Sequence, residues 1–281
     1  MLGPIRRSEG LVDGAAGVRI YWQAWLPADD PVGVVVLHHG IGEHSGRYPH
    51  AVRHLVAAGY GVYALDVRGH GRSEGRRASL DRFGQLVFDL SAVVDRVVLQ
   101  ANGAPIFLLG YSLGGAAALS YALEHQDQLA GAVVIGSALG RGAGVSRLQL
   151  GMASVLSAVA PRFPLIGLRA VDMTQDPEVA RAYDADPLVH HGRFDARILG
   201  EVATVIRRLP AQFSRLRLPL LLLHGAADIT ASPAGSRGLL DGAASPDKTL
   251  KLYAGLRHDV LNEPGHDEVM SDITAWLDDH R

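Results

Sequence analysis

The 281-residue sequence has no cysteine, two lysines and no long apolar run. Without cysteine the chain can form neither a disulfide nor a thiol nucleophile. A membrane-spanning helix needs about 18 or more consecutive apolar residues, and no window of this sequence approaches that length. Basic residues are not clustered and the formal net charge is -2, so the chain lacks the basic surface that is typical of nucleic-acid binding.

The N-terminal stretch contains Arg6 and Arg7 but no apolar segment. A secretory signal has an apolar core of about 7 to 15 residues, so no such signal is predicted here. We therefore expect the protein in the cytoplasm, or peripherally associated with a membrane or the cell envelope.

Apolar runs typical of buried strands alternate with segments of helical spacing over most of the chain. This alternation predicts a mostly parallel sheet covered by helices on both faces. It is interrupted between residues 137 and 210, so we expect a core formed by residues 1–136 and 211–281 and an inserted helical cap formed by residues 137–210. The predicted strands are Leu11–Gly14, Val18–Trp25, Val32–His38, Val62–Leu65, Ile106–Leu109, Gly131–Ile135, Leu218–Leu223 and Thr249–Tyr253. The predicted helices are Pro49–Ala58, Asp81–Leu99, Ala116–Glu124, Leu148–Ala160, Asp176–Tyr183, Arg193–Leu209, Ser232–Asp241 and Glu268–His280.

The stretch Gly110-Tyr111-Ser112-Leu113-Gly114 lies between a predicted strand and a predicted helix. A G-x-S-x-G sequence in this context is typical of a nucleophile elbow, in which the serine lies on a strained turn at the edge of the sheet. The turn brings the strand and helix backbones so close that a Cβ atom at Gly110 or Gly114 would clash. Ser112 is therefore the candidate nucleophile.

A serine nucleophile needs a base, and the base needs an acid that orients it. In the α/β-hydrolase fold the acid and then the histidine follow the serine along the chain. Asp228 comes just after the strand predicted at Leu218–Leu223, and His258 comes just after the strand predicted at Thr249–Tyr253. Both would therefore lie near Ser112, at the carboxyl edge of the parallel strands. We predict that His258 is the general base and that Asp228 orients it.

Three other aspartates are alternatives to Asp228. Asp66 follows a predicted strand, but its position favours a role in ordering the loop that comes directly after it. Asp89 and Asp259 are the remaining alternatives. We favour Asp228 because it alone occupies the loop in which the acid of this fold is expected.

Several histidines also need an interpretation. His266 is an alternative to His258, but it lies near the start of the last predicted helix, which is too far along the chain. His39 and His70 are interpreted as side chains that order their loops. The histidines between residues 38 and 50 fit neither a helical metal motif nor a nearby set of carboxylates, so no metal site is predicted.

Ester hydrolysis passes through a tetrahedral intermediate whose negative oxygen needs hydrogen-bond donors. The backbone N–H of Leu113 is one predicted donor, since it belongs to the residue after the nucleophile. The second donor is expected in the glycine-containing loop after the strand Val32–His38, and we predict the backbone N–H of Ile41 for this role. Glycines on either side of Ile41 allow the backbone to approach a substrate closely.

Five longer motifs in this chain resemble those of monoacylglycerol lipases, and together they extend over essentially the whole sequence. The motifs are His39-Gly40-x-Gly42-Glu43-His44-Ser45-Gly46-Arg47-Tyr48, Asp66-x-Arg68-Gly69-His70-Gly71-x-Ser73, Gly110-Tyr111-Ser112-Leu113-Gly114-Gly115, Ala182-Tyr183-Asp184-Ala185-Asp186-Pro187-Leu188 and Arg257-His258-x-x-x-Asn262-Glu263. The resemblance implies an α/β-hydrolase fold with an eight-stranded sheet. It also implies a cap that forms an apolar tunnel for one acyl chain and contacts lipid surfaces peripherally.

The same resemblance implies a binding site for the glycerol end of the substrate, formed by Glu43, Arg47 and Tyr183. An alternative interpretation is that Glu43 and Arg47 form only a local ion pair. Two departures from the animal enzymes bear on this site: Leu261 stands where they carry a second histidine, and His190 stands where they carry a cap cysteine. Ester hydrolysis is therefore better supported than glycerol recognition.

The cap stretch around Met152, Leu156 and Val159 is apolar. It is either the buried face of a helix or, as we prefer, also part of the lining of the acyl tunnel. Burial of each methylene group contributes about 0.8 kcal/mol, so a long acyl chain would be strongly stabilised by such a lining.

The leading hypothesis is a serine hydrolase that cleaves monoacylglycerol to fatty acid and glycerol through a Ser-His-Asp triad and an acyl-enzyme. A lysophospholipase or a broad-specificity carboxylesterase is the enzymatic alternative, and a non-catalytic ligand-binding receptor of the same fold is a more remote one. We expect no cofactor, no metal and no nucleic-acid partner, with a single-chain lipid ester as the ligand. The sequence leaves the oligomeric state open.

Overall fold

The computed structural model describes the backbone of residues 5–139 and 147–281, and the side chains of these ranges except 147–150. The strands are β1 (Arg6–Asp13), β2 (Arg19–Leu26), β3 (Val34–His38), β4 (Gly61–Leu65), β5 (Ile106–Tyr111), β6 (Gly131–Ile135), β7 (Pro164–Ile166), β8 (Phe194–Asp195), β9 (Leu220–Gly225) and β10 (Lys248–Tyr253). Eight of them form one sheet in the order β1-β2-β4-β3-β5-β6-β9-β10. The pairs β1·β2 and β2·β4 are antiparallel and the other neighbours are parallel. The predicted eight-stranded, mostly parallel sheet is confirmed.

Helices cover both faces of this sheet. The helices of the described residues are α1 (Pro49–Ala57), α2 (Gly84–Gln100), α3 (Leu113–His125), α4 (Arg147–Val159), α5 (Ala170–Met173), α6 (Pro177–Ala185), α7 (Ala196–Arg208), α8 (Ala234–Gly242) and α9 (His266–Asp279). Because successive strand residues point to opposite faces, Val36 of β3 belongs to the core that includes residues of α2, α3 and α8, whereas Leu37 belongs to the core that includes residues of α1 and α9. The central strands are buried on both faces, as their unbroken apolar runs predict.

The segment between β6 and β9, which we call the insertion (residues 136–219), interrupts the alternation of strand and helix. It contains α4 to α7 and the separate two-stranded sheet β7·β8. The cap predicted at residues 137–210 falls inside it, and the domain boundaries stay a prediction. No helix in the described ranges has the length and apolarity required to cross a membrane.

The turn after β5 has the strained geometry predicted for a nucleophile elbow. Ser112 has a φ of 53°, which is uncommon for a residue with a side chain. A Cβ atom at Gly110 would lie 2.5 Å from the Gly114 carbonyl oxygen, and one at Gly114 would lie 2.0 Å from the His38 carbonyl oxygen. The two glycines therefore allow β3, β5 and α3 to meet closely enough to hold Ser112 in this conformation.

We expect replacement of Gly114 with alanine to destabilise the protein by about 3 kcal/mol or more, because the new methyl group would overlap backbone that cannot easily move. Gly238 provides a matched control, since it lies in α8 and its Cβ position has nothing within 4 Å. Alanine at Gly238 should instead stabilise the protein by about 0.5 to 1 kcal/mol. Denaturant unfolding of both variants checks this, and equal stability of the two would contradict the close-approach argument.

Candidate active site

Three side chains from three different strand ends form one chain of hydrogen bonds. His258 Nε2 lies 3.0 Å from Ser112 Oγ, and His258 Nδ1 lies 2.7 Å from Asp228 Oδ2. Ser112 follows β5, Asp228 follows β9 and His258 follows β10, so all three come from the carboxyl edge of the sheet. All three residues are buried. The structure therefore brings together the three residues that the sequence predicts as nucleophile, base and acid.

The hydrogen bonds define the tautomer that hydrolysis requires. A carboxylate can only accept hydrogen bonds, so the His258 proton lies on Nδ1 and Nε2 is free to accept the Ser112 hydroxyl proton. Burial would raise the pKa of the Asp228 carboxyl, but hydrogen bonds from His224 and His258 outweigh burial and hold this pKa well below its usual range. Asp228 is therefore ionised at neutral pH and can stabilise a positively charged His258.

Sequence reasoning missed a second histidine on the same carboxylate. His224 Nε2 lies 3.0 Å from Asp228 Oδ2, and His224 Nδ1 lies 2.8 Å from Ser236 Oγ. Ser236 is in turn 3.3 Å from Ser137 Oγ, and His224 is completely buried. The signal in the sequence is a histidine near the end of an apolar strand, four residues before the acid. His224 and His258 thus both contact Asp228 Oδ2, and Ser236 holds the His224 ring in place.

Two backbone N–H groups, those of Leu113 and Ile41, are the donors predicted for the negative oxygen. Leu113 is the first residue of α3, so its N–H has no acceptor within the helix. Ile41 lies in the β3 loop, a name we use for residues 39–47. The Gly40 carbonyl accepts a 2.6 Å hydrogen bond from His39 Nδ1. Because a trans peptide is planar, fixing that carbonyl also fixes the direction of the Ile41 N–H.

His39 is held in turn, since its Nε2 accepts a 2.9 Å hydrogen bond from the Val67 N–H. Burial lowers the pKa of His39 well below its usual value and lowers the pKa of His70 to about 4. His70 Nδ1 lies 3.0 Å from the Arg68 carbonyl oxygen. Both rings are therefore neutral and bonded to loop backbone, in accord with the loop-ordering interpretation.

The three residues predicted to bind the glycerol end lie together but are buried. Glu43 is 1% exposed, and its Oε1 accepts hydrogen bonds from the Gly40 N–H at 2.8 Å and from the Tyr48 hydroxyl at 2.7 Å. Its Oε2 accepts from Arg47 Nε at 3.1 Å, so the alternative interpretation of a local ion pair describes the contact between them. Three of the roughly four acceptor sites of this carboxylate are thus used within the protein. The Tyr183 hydroxyl, by contrast, is buried and has no hydrogen-bond partner in the described part of the chain.

Described residues of the insertion contact the β3 loop directly. The His190 N–H donates to the Gly42 carbonyl at 2.7 Å. His44 Nε2 lies 2.8 Å from Asp186 Oδ2, and the Arg47 guanidinium lies 4.6 Å from the centre of the Tyr183 ring. The part of the insertion that follows the start of α6 is thus attached directly to the loop that carries Ile41.

The cap residues predicted to line an acyl tunnel do not all face inward. Met152 is 54% exposed and Val159 is 74% exposed, and Val155 between them is 63% exposed. These spacings place the three on one face of α4, while its opposite face packs on α7, where a Cβ atom at Gly200 would lie 2.4 Å from Ser157 Cβ. Leu156 is half-buried. The lining role of Met152, Leu156 and Val159 stays a prediction, and the first and last of these side chains lie at the surface.

The alternative acids and base have other partners. Asp66 accepts hydrogen bonds from the Ser45 and Arg72 backbone N–H groups, and so orders the loop after its strand. Asp89 pairs with Arg68 at 2.6 Å. Asp259 and His266 likewise bond to groups outside the chain of Ser112, Asp228 and His258.

Comparison with known proteins gives consistent matches over nearly the whole chain. The model of a family described as serine aminopeptidase, S33 matches residues 29–265. A monoacylglycerol lipase from Mycolicibacterium smegmatis is 41% identical over 274 residues, which cover 98% of this chain and 98% of that protein. The human monoglyceride lipase is 33% identical over 270 residues, which cover 94% of this chain and 88% of the relative. The crystal structure of a Paleococcus ferrophilus monoacylglycerol lipase is similar with a TM-score of 0.81 and 30% identity, covering 99% of this chain and 100% of that one.

Proposed function

This chain belongs to the serine aminopeptidase S33 family and to the monoacylglycerol lipases, and from that premise we propose that it hydrolyses monoacylglycerols to a fatty acid and glycerol. The observation that carries the proposal is the hydrogen-bonded chain from Ser112 through His258 to Asp228. A Ser-His-Asp chain with an ionised aspartate and two nearby backbone donors is the machinery of acyl transfer.

In the first half of the proposed reaction, Ser112 Oγ attacks the ester carbon and His258 Nε2 takes the hydroxyl proton. The N–H groups of Ile41 and Leu113 stabilise the negative oxygen of the tetrahedral intermediate. His258 then gives its proton to the glycerol oxygen as the C–O bond breaks. The acyl group remains on Ser112, and glycerol leaves.

In the second half, water attacks the acyl-enzyme. His258 Nε2 takes a proton from the water, and the same two N–H groups stabilise the second negative oxygen. Collapse of this intermediate returns the proton to Ser112 Oγ and releases the fatty acid. Asp228 keeps the imidazole in one orientation and stabilises its charge through both steps.

For the glycerol end we retain Tyr183 as the side chain best able to contact a substrate hydroxyl, because its own hydroxyl is unpaired. Burial raises the pKa of the Tyr183 hydroxyl well above its usual value, so the phenol is neutral and can both donate and accept. Leu261, at the position of the second histidine in the animal enzymes, is completely buried and offers no polar side-chain atom.

The test is a substrate panel on the pure protein. It compares monoolein, lysophosphatidylcholine with the same acyl chain, and diacyl and triacyl esters, with the Ser112→Ala variant as the blank. We expect kcat/KM for monoolein to exceed that for the lysophospholipid by about tenfold or more, since a site shaped for a small neutral alcohol leaves a charged headgroup poorly paired. Equal turnover of the two would favour a lysophospholipase or a broad carboxylesterase.

Replacing His224, the second histidine that bonds to Asp228, should lower the rate of hydrolysis without abolishing it. A hydrogen bond to a charged group contributes about 1.5 to 3 kcal/mol, so His224→Phe should lower kcat by roughly 10- to 100-fold. KM should change little, because His224 bonds to the acid of the triad and not to a group proposed to bind the substrate. Steady-state kinetics check this, and a kcat within twofold of wild type would show that Asp228 does not need the hydrogen bond from His224.

We also propose that the exposed face of α4, formed by Met152, Val155 and Val159, contacts lipid surfaces. Exposed apolar side chains in a row are typical of interfacial helices. Replacing all three with serine should weaken binding to liposomes by roughly 10²-fold, at about 1 kcal/mol for each partly buried side chain.

A flotation assay with phosphatidylcholine liposomes measures this binding. The matched control replaces three exposed apolar residues of α2, namely Phe88, Val98 and Leu99, and should float like wild type. If the α4 and α2 variants float equally well, the proposed lipid contact through α4 is wrong.

A further inference from the structure

A buried ionic contact joins the loop that carries Ile41 to the loop that carries His258. We propose that Glu43, Arg47 and Asp259, here called the clamp, are positioning residues. They hold the Ile41 N–H and the His258 imidazole in the relative positions that attack on the ester requires. This inference rests on the proposed function, and it assigns these residues a role that does not involve glycerol.

The first part of the clamp fixes the β3 loop from within. Glu43 Oε1 accepts from the Gly40 N–H at 2.8 Å, and Gly40 directly precedes Ile41. The Tyr48 hydroxyl donates to the same oxygen at 2.7 Å, which holds the carboxylate in one orientation. A shift of Glu43 would therefore move the peptide next to the proposed donor.

The second part crosses between the loops. Arg47 donates from Nε to Glu43 Oε2 at 3.1 Å and from Nη2 to Asp259 Oδ2 at 3.4 Å. Arg47 and Asp259 are 212 residues apart in the chain. The side chains of Arg47, Glu43 and Asp259 are 8%, 1% and 2% exposed. A buried charge without its partner is strongly destabilising, so the two carboxylates and the guanidinium stay together.

The third part fixes the loop after β10. Asn262 Nδ2 donates to Asp259 Oδ1 at 2.8 Å and to Oδ2 at 3.0 Å, and the Asp259 N–H donates to the Met173 carbonyl at 2.9 Å. Asp259 directly follows His258, so its Cα atom lies about 3.8 Å from that of the base. Restraint of Asp259 by Arg47 therefore restrains the backbone that carries the imidazole.

The clamp matters for catalysis because the two groups it connects must act on one ester at the same time. Donors stabilise the negative oxygen best at about 2.7 to 3.1 Å, and a displacement of about 1 Å can lower the rate roughly 10²-fold. A clamp residue should therefore affect kcat for every ester, whatever its alcohol. A glycerol-binding residue should affect monoacylglycerols alone, mainly through KM.

The test compares Asp259→Asn with wild type on monoolein and on the p-nitrophenyl ester of the same fatty acid, which has no glycerol. Asparagine keeps the size of the side chain but removes the charge that attracts Arg47. We expect kcat to fall about 10- to 100-fold on both substrates while KM stays within threefold. Asp184→Asn, an exposed change of the same charge on α6, should leave kcat unchanged on both.

A second variant distinguishes a catalytic effect of the clamp from unfolding of the protein. Arg47→Lys keeps the buried positive charge, but an ammonium group lacks the fork with which a guanidinium bridges two carboxylates, so kcat should fall on both substrates here as well. A loss confined to monoolein, or activity within twofold of wild type for both variants, would overturn the clamp. If wild type cleaves the p-nitrophenyl ester but not monoolein, the proposed function fails, while the p-nitrophenyl ester still tests the clamp.

Discussion

Replacement of Ser112 with alanine is expected to lower kcat for monoolein by roughly 10⁶-fold. The alanine variant has no oxygen to form the acyl-enzyme, so only the binding site and the two N–H donors remain to accelerate attack by water. Ser112 is the side chain within 3.0 Å of His258 Nε2, and its elbow conformation does not depend on the hydroxyl. The variant should therefore fold normally and bind substrate while being inactive.

A fluorophosphonate probe provides the second measurement, since it labels an activated serine covalently. Wild type should be labelled and Ser112→Ala should not. Ser120→Ala is the matched control: Ser120 lies on the same α3, but its hydroxyl donates to the Ala116 carbonyl at 2.8 Å, so labelling should match wild type. An unlabelled wild type would favour a ligand-binding protein that has lost catalysis.

The second large effect is expected from Asp228→Asn, which should lower kcat by roughly 10⁴-fold. The Thr230 and Ala231 N–H groups donate to Asp228 Oδ1 at 2.7 and 2.9 Å. These donors would fix the amide oxygen of the asparagine at that position and direct its NH₂ group toward His258. The imidazole would then carry its proton on Nε2, where it could not accept the proton of Ser112.

Single-turnover kinetics of the Asp228→Asn variant should show the loss in the acylation step itself. Asp241→Asn, an exposed change of the same kind on α8, controls for the charge. A variant that retained more than a tenth of wild-type activity would mean that another residue orients His258.

The sheet and the three hydrogen-bonded residues could be predicted because each depends on a local pattern. A strand buried on both faces is apolar over most of its length, and β3, β5, β6 and β9 show this pattern. The side chains of the triad could then be placed together, because the carboxyl ends of parallel strands lie at the same edge of the sheet. This is why residues as distant in the chain as Ser112 and His258 could be placed side by side.

The insertion was harder to predict because its elements depend on contacts between them. The spacing from Arg193 to Leu209 predicts one helix, but α7 begins only at Ala196. Asp195 caps it by accepting a 3.0 Å hydrogen bond from the Ile198 N–H, and Phe194 instead pairs with β7. A strand of only two or three residues is too short to show an alternating apolar pattern in the sequence.

His224 and Asp259 were not predicted as partners of the site for a different reason. Each is a polar residue beside a candidate catalytic residue, and its role depends on where its atoms point. Whether Asp259 bonds to Arg47 or to solvent depends on how the loop after β10 packs against the β3 loop. That packing is a property of the folded chain and not of either segment.

Because the His190 N–H donates to the Gly42 carbonyl, the part of the insertion around His190 cannot move away from the β3 loop without disturbing the peptides beside Ile41. α4 is attached differently, through its packing on α7. Acyl chains are therefore expected to enter where α4 moves away, while the part of the insertion around His190 stays in place. Over evolutionary time, changes along α4 would alter which chains are admitted, whereas changes beside His190 would decide whether any chain is cleaved.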